Sequence, residues 1–193
     1  PREILKAEGI IERLEERRGI SIGSTELLVI MDTALGVWNV KEILSVSERV
    51  KQVALDEASL CASMGIMATD EHNPLEYAQG RIAIEGTAAG VQPLIAAHPL
   101  GSIPKLWPRD QLFELALKSK NLGSKGILCP HPSWIEPVND AFTPSQIHVD
   151  YYTRVRQVFA DGISKGTAAV PFEGKMIDVP VDEWAKDVLS LAA

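Results

Sequence analysis

The sequence predicts an α/β protein built of parallel βα units, followed by a helix-and-hairpin tail. Short apolar runs alternate with helical patterns through the first two thirds of the chain, which is the signal of parallel βα units. Four such runs precede the tail: ELLVIMDT, VKQVAL, VQPLIAA and KGILCP. Four parallel strands make either an open doubly wound sheet or half of an eight-stranded barrel. A whole barrel needs about 250 residues, and the chain has 193, part of which is tail.

The elements follow in order. PREILKAEGIIERLEERRG carries an apolar stripe of Ile4, Leu5, Ala7, Ile10, Ile11 and Leu14 at helical spacing, with Pro1 in the first turn and Gly19 as the closing residue. ELLVIMDT is too short for a helix and reads as a strand buried on both faces. ALGVWNVKEILSV predicts one helix, VKQVAL a second strand and SLCASMGI a short helix. NPLEYAQGRIAIEGTAAG predicts a longer helix, with Asn73 as N-cap and Pro74 at the first position. VQPLIAA is the third strand, HPLGSIPKLWP a loop, RDQLFELALKSKNLG a helix closed by Gly123, and KGILCP the fourth strand. HPSWIEPVNDAF predicts a turn and a helix kept short by Pro137. TPSQIHVDYYTRVRQVFADGISKG predicts a helix capped by Thr143 with Pro144 at its start. Two apolar runs around Glu173 and Gly174 predict a hairpin, and VDEWAKDVLSLAA the last helix. The organisation expected is residues 1–142 as βα units and 143–193 as a helical and hairpin extension.

Apolar content of 46% is ample for a core, and a net charge of −7 argues against a nucleic-acid footprint or a polybasic membrane patch. No apolar run reaches the length of a membrane span. Two cysteines, Cys61 and Cys129, make no disulfide framework and lack zinc-ligand spacing, so a reducing, cytoplasmic compartment is expected. The chain begins PREIL without Met, so it is expected to be processed, engineered or a piece of something longer.

In either α/β architecture, chemistry belongs at the carboxyl ends of strands. Four loops qualify: MDTALG, LDEAS, IAAHPLG and ILCPHPSW. Asp32 ends the first strand, where it is either a metal ligand or a cap of the next helix beside Thr33. Asp56 and Glu57 start a helix, where the helix dipole favours carboxylates in any case; composition alone favours that role over ligation. His131 and His98 are candidate acid–base residues, although a lone His is more often structural. Asp178 in GKMIDVP reads, taken alone, as a turn residue. No G-x-G-x-x-G, P-loop or G-x-S-x-G motif occurs.

Several segments together resemble one family. IMDTALGVWNVKEI resembles the MIETxxGLLNxxEI segment of the citrate lyase β-subunit-like enzymes of the HpcH/HpaI aldolase superfamily. ALDEASLCASMGI is similar to their xGxEDLxASxG loop, and PLEYAQGRIAIEGTAAGVQPL to LxYARxxIxxxAxAxGxQAID. GILCPHPSWIEPVNDAFTPS resembles GKxCIHPxQIxxVNxxFxPS, and FEGKMIDVPV resembles xxGxMIDxPV. Order and spacing hold over nearly the whole chain.

The resemblance implies a TIM (β/α)8 barrel that associates as a homo-oligomer, a trimer or hexamer. It implies a carbon–carbon lyase that cleaves a 3-hydroxyacyl-CoA such as citryl-CoA or malyl-CoA by retro-Claisen or aldol-type chemistry. A divalent metal, magnesium, would assist it. The family's first metal carboxylate falls on Asp32, with Glu shortened to Asp. The second falls on Ser59, a neutral and therefore poor ligand for a hard ion. The Glu before it falls on Ala58 and a family glycine on Asp56, so Asp56 or Glu57 is the possible substitute. The catalytic Asp that family members donate to a neighbouring subunit falls on Asp178. His131 and Pro132 match the family's HP, which shapes the rim. The Asp of QAID is missing, since QPLI stands there. PREIL aligns just after the family's fourth strand. The expectation is therefore the second half of a barrel, without the family's substrate-binding arginine and much of its CoA pocket. Such a half would be completed by a partner, by dimerisation or by a longer chain. Two alternatives accompany the lyase: a catalytically impaired homologue acting as a structural or regulatory subunit, and an acyl-CoA thioesterase.

Overall fold

The computed structural model describes residues 1–66, 74–96 and 107–192. It divides into two compact units, Pro1–Val138 and Asn139–Ala193. The Asn73 cap, His98 and most of the loop HPLGSIPKLWP lie outside the described residues.

The first unit is a three-stranded parallel sheet with helices between its strands. Helix α1 (Arg2–Arg18) ends at Gly19, whose left-handed φ of 65° turns the chain out of the helix. Strand β1 (Leu27–Met31) follows, then β2 (Val50–Asp56) and β3 (Gln92–Ala96), in the spatial order β1-β2-β3. Both pairings are parallel.

Period-two alternation sorts the side chains into two faces. Met31, Val53, Leu55 and Ile95 face the helices and are buried. Met31, Val53 and Leu55 form one core with Val40 and Leu44 of α3 (Val40–Leu44), Leu60 and Cys61 of α4 (Glu57–Met64), and Ala78 and Ile82 of α5 (Glu76–Ala88). Gly86 lets α5 lie close on this face: a Cβ there would meet the Val91 carbonyl at 3.1 Å and the Val53 side chain at 3.3 Å. The other face carries Leu28 and Ile30 on β1 and Ala54 and Asp56 on β2, with Leu94 and Ala96 on β3.

A buried ion pair fastens α1 to the start of β2. Glu15 and Arg49 are 2% and 5% exposed and pair bidentately, at 2.7 and 3.0 Å. The backbone N–H groups of Gly23 and Thr25 also donate to Glu15, each at 2.9 Å. These donors hold its carboxyl well below the usual carboxylate range, with Arg49 the largest cause.

Five sequence expectations are corrected. The first strand is not buried on both faces: Leu28 and Ile30 are 37% and 48% exposed. The helix expected over ALGVWNVKEILSV is two five-residue helices, α2 (Ala34–Trp38) and α3, broken at Asn39. Helix α5 begins at Glu76 after Leu75, so Pro74 is not its first residue. The fourth strand is reduced to a single parallel bridge, Ile95 to Ile127. Its flanking hydrogen bonds run from Lys125 N–H to the Pro93 carbonyl and from Leu128 N–H to the Ile95 carbonyl. Pro130, with no N–H, cannot carry the ladder further. Finally, Ser145 rather than Thr143 caps the long helix of the second unit, α8 (Gln146–Ser164), by accepting from His148 N–H.

Between the strands and the second unit lie α6 (Arg109–Asn121), a 3-10 turn at Pro132–Trp134 and α7 (Ile135–Phe142). The second unit packs α8, a hairpin of β4 (Val170–Phe172) and β5 (Lys175–Ile177), and α9 (Val179–Ser190) around Val155, Phe159, Val170, Ile177 and Ala185. The hairpin turns at Glu173 and Gly174, both at positive φ, as a two-residue hairpin loop requires. Among the described residues no helix is long and apolar enough to cross a membrane.

Candidate functional site

The carboxyl ends of β2 and β3 and the segment after Ile127 border an open cleft of about 420 Å³. Asp56, Ala58, Ser59, Ala96, Leu128, Cys129 and Pro130 line it. The fold makes this place directly: parallel strands end together, and the chain must leave each end in a loop.

Asp56 is the last residue of β2 and the N-cap of α4. Its Oδ1 accepts from Ser59 N–H at 3.0 Å, and its Oδ2 accepts from the Ser59 hydroxyl at 2.9 Å. Both residues of this pair line the cleft.

Glu57 goes elsewhere. Its carboxylate accepts from Gln79 Nε2 on α5. Burial pushes its pKa up, against the pull of the Gln79 hydrogen bond and the Lys118 charge. It is not among the residues lining the cleft. The two adjacent acids of LDEAS are therefore separated, Asp56 into the cleft and Glu57 onto α5.

Asp32 follows β1. The β1–β2 register ends at the pair Met31 and Leu55, so Asp32 and Asp56 are the next residues along their two chain segments. Asp32 is exposed. The helix cap belongs to Thr33, whose Oγ1 accepts from Gly36 N–H at 3.2 Å. Ala34 N–H donates to Ser63 Oγ of α4 at 3.3 Å, tying this loop to the helix that Asp56 caps.

His131 is half-buried and caps the 3-10 turn: its Nδ1 accepts from Ser133 N–H at 3.2 Å. It does not line the cleft. Cys129 does, and partial burial pushes its thiol pKa up. Sequence reasoning set Cys129 aside for want of zinc spacing. The signal it passed over was position, at the end of the fourth apolar run. In the second unit, Asp178 caps α9, its Oδ1 accepting from Val181 N–H at 3.3 Å.

Among the described residues no group of three or more His, Cys, Asp or Glu side chains is gathered for a metal ion. Magnesium needs no such cage, because it commonly takes one or two carboxylates, waters and substrate oxygens. Asp56 in the cleft is a donor of that kind, whereas Asp32, just past the end of β1, is not among the residues lining the cleft.

A family model described as HpcH/HpaI aldolase/citrate lyase matches residues 1–102. Citrate lyase subunit beta of Escherichia coli K12 is 28% identical over 190 residues, covering 98% of this chain and 61% of that protein. L-malyl-CoA/beta-methylmalyl-CoA lyase of Rhodobacter capsulatus is 25% identical, covering 92% of this chain and 59% of that one. The crystal structure of CitE from Mycobacterium tuberculosis, in complex with magnesium, acetoacetate and coenzyme A, superposes with a TM-score of 0.71 at 25% identity. It covers 86% of this chain and 61% of CitE. A citrate lyase from Burkholderia xenovorans LB400 gives a TM-score of 0.78 at 16% identity over 98% of this chain and 59% of that one, a likeness of fold. The chain spans about three fifths of the length of the curated relatives it matches.

Proposed function

Because this chain belongs to the HpcH/HpaI aldolase/citrate lyase family, we propose that it carries the metal and strand-end half of a carbon–carbon lyase. The substrate class is a 3-hydroxyacyl-CoA of the citryl-CoA or malyl-CoA type. The single observation that supports this best is a carboxylate, Asp56, held in a cleft at the carboxyl end of a parallel sheet. The sheet is read as the second half of a TIM (β/α)8 barrel, residues 1–142, with residues 143–193 as the extension that carries Asp178. The exposed apolar residues Leu28 and Ile30, on the face turned away from the helices, support reading that face as a barrel interior.

The reaction breaks the bond between the carbinol carbon and the α-carbon of the thioester. The hydroxyl proton must leave, the bonding pair passes to the α-carbon, and a proton must reach that carbon. In this reading Asp56, with Asp32, would hold a magnesium ion. When bound, the ion would supply Lewis acidity for the hydroxyl that becomes a carbonyl. Ala58, Ala96, Leu128 and Pro130 give the cleft an apolar wall that strengthens electrostatic contacts within it. Asp178, given by a neighbouring subunit of a homotrimer or hexamer, is the acid–base residue. Its Oδ1 also accepts the cap bond from Val181 N–H. Two free cysteines support a cytoplasmic setting.

A second reading, a scaffold or regulatory subunit, is favoured by Ser59, a neutral residue where the resemblance expects a carboxylate. The test is incubation of the chain with citryl-CoA or malyl-CoA and magnesium, following two products. The lyase yields oxaloacetate or glyoxylate, trapped as a phenylhydrazone, with no new thiol. A thioesterase yields free CoA thiol and no carbonyl product. Neither product, together with a melting temperature indifferent to magnesium, sinks the lyase in favour of the scaffold.

A further inference from the structure

We propose that Ser59 is a positioning residue, which aims the Asp56 carboxylate into the cleft rather than ligating metal in the place of a lost carboxylate. The inference rests on the reading of Asp56 as a magnesium ligand.

Ser59 is the third residue of α4 and faces back toward the strand end. It engages both oxygens of Asp56, the backbone N–H on Oδ1 at 3.0 Å and the hydroxyl on Oδ2 at 2.9 Å. Two donors on two different oxygens fix the rotation of the carboxylate plane, which one cap bond alone leaves free. A carboxylate has about four lone-pair sites, so two contacts leave one site on each oxygen for a cation. The hydroxyl has a single proton, and it is spent on Oδ2.

The acid and the alcohol have thus divided one job. The charge comes from the end of β2, and α4 contributes the donor that orients it. Hydrogen-bond partners of metal ligands commonly govern affinity by 10–100-fold. Only a β-hydroxyl at position 59 delivers this contact, so threonine should substitute and alanine should not.

The test is a magnesium titration of the chain, read as melting temperature with magnesium chloride alone, for the parent, S59A, S59T and D56N. Without magnesium, S59A should melt within about 2 °C of the parent, because the backbone cap bond remains. Its magnesium midpoint should move roughly tenfold higher, while S59T stays within about twofold of the parent.

An S59A midpoint within about twofold of the parent overturns the positioning role. So does complete loss of the response in S59A, as in D56N, which would make Ser59 a ligand itself. A metal-free melting temperature lowered by more than about 5 °C overturns it in favour of a structural role. A magnesium response absent from the parent, or undiminished in D56N, overturns the lyase reading as well. An unmoved S59A midpoint beside a lost D56N response overturns this inference alone.

Discussion

Asp56 does two things that substitution can separate. As N-cap of α4 it accepts Ser59 N–H at 3.0 Å. As a charge it is the carboxylate in the cleft. Asn caps a helix about as well as Asp, whereas Ala costs about 1 kcal/mol. Each kcal/mol moves the melting temperature of a protein this size by roughly 2–4 °C. Asp56→Asn should therefore melt with the parent, and Asp56→Ala about 2–4 °C lower, both without metal. At free magnesium tenfold above its dissociation constant, binding adds about 1.4 kcal/mol, or roughly 3–6 °C. Only the parent should show that rise; Asn should lose it while keeping its fold, and Ala should lose both. Thermal melts at matched ionic strength, with and without magnesium, read all three. If Asp56→Asn keeps the full magnesium rise, Asp56 is a helix cap and nothing more, and the metal site lies elsewhere.

Two further predictions follow from buried charge and from assembly. Glu15→Gln removes the bidentate partner of the buried Arg49 guanidinium and leaves it Glu8 at 3.6 Å and Glu12 at 3.9 Å, and should lower the melting temperature at pH 7 by roughly 5 °C. Because Arg49 depresses the Glu15 pKa in the fold, its contribution is present above the unfolded carboxylate value of about 4.3 and is lost as pH falls below it. The parent should therefore lose stability more steeply than Glu15→Gln from about pH 5 downward, and parallel pH profiles would contradict this. If Asp178 acts across a subunit interface, Asp178→Ala and Asp32→Ala chains, each inactive alone, should regain about a quarter of parental activity when mixed equally and at random. Mixed oligomers as inactive as either variant would exclude the shared site.

Much of the first unit was legible because parallel strands leave a strong mark. The runs ELLVIMDT, VKQVAL and VQPLIAA read as strands, and β1, β2 and β3 fall on them. What failed was set by neighbours rather than by local pattern. KGILCP has strand composition, yet among the described residues it forms a single bridge, Ile95 to Ile127, and Pro130 has no N–H to give. TPSQIH offers two hydroxyls for one helix start, and Ser145 took the cap that Thr143 was expected to make. LLVIM has the composition of a strand covered on both sides, but as an edge strand it has only one face against helices. Composition records the environment a strand is suited to, and Leu28 and Ile30 are apolar residues left exposed on the face turned away from the helices.

The acidic pair shows why the site was harder to read than the fold. Asp56 and Glu57 are adjacent, and composition cannot sort them, because a helix start favours both. The strand-to-helix junction sorts them. Asp56 is still in the strand, so alternation puts it on the same face as Ala54, across from Ala96, and into the cleft. Glu57 is already in the helix, and its side chain bonds to Gln79 on α5. Burial there raises its pKa, an unfavourable setting for a charge that a metal ligand must keep. Which of the two acids faces the cleft thus rests on where the strand ends, at Asp56. Sequence reading placed that end one residue early, at Leu55, which left both acids in the loop with equal claims.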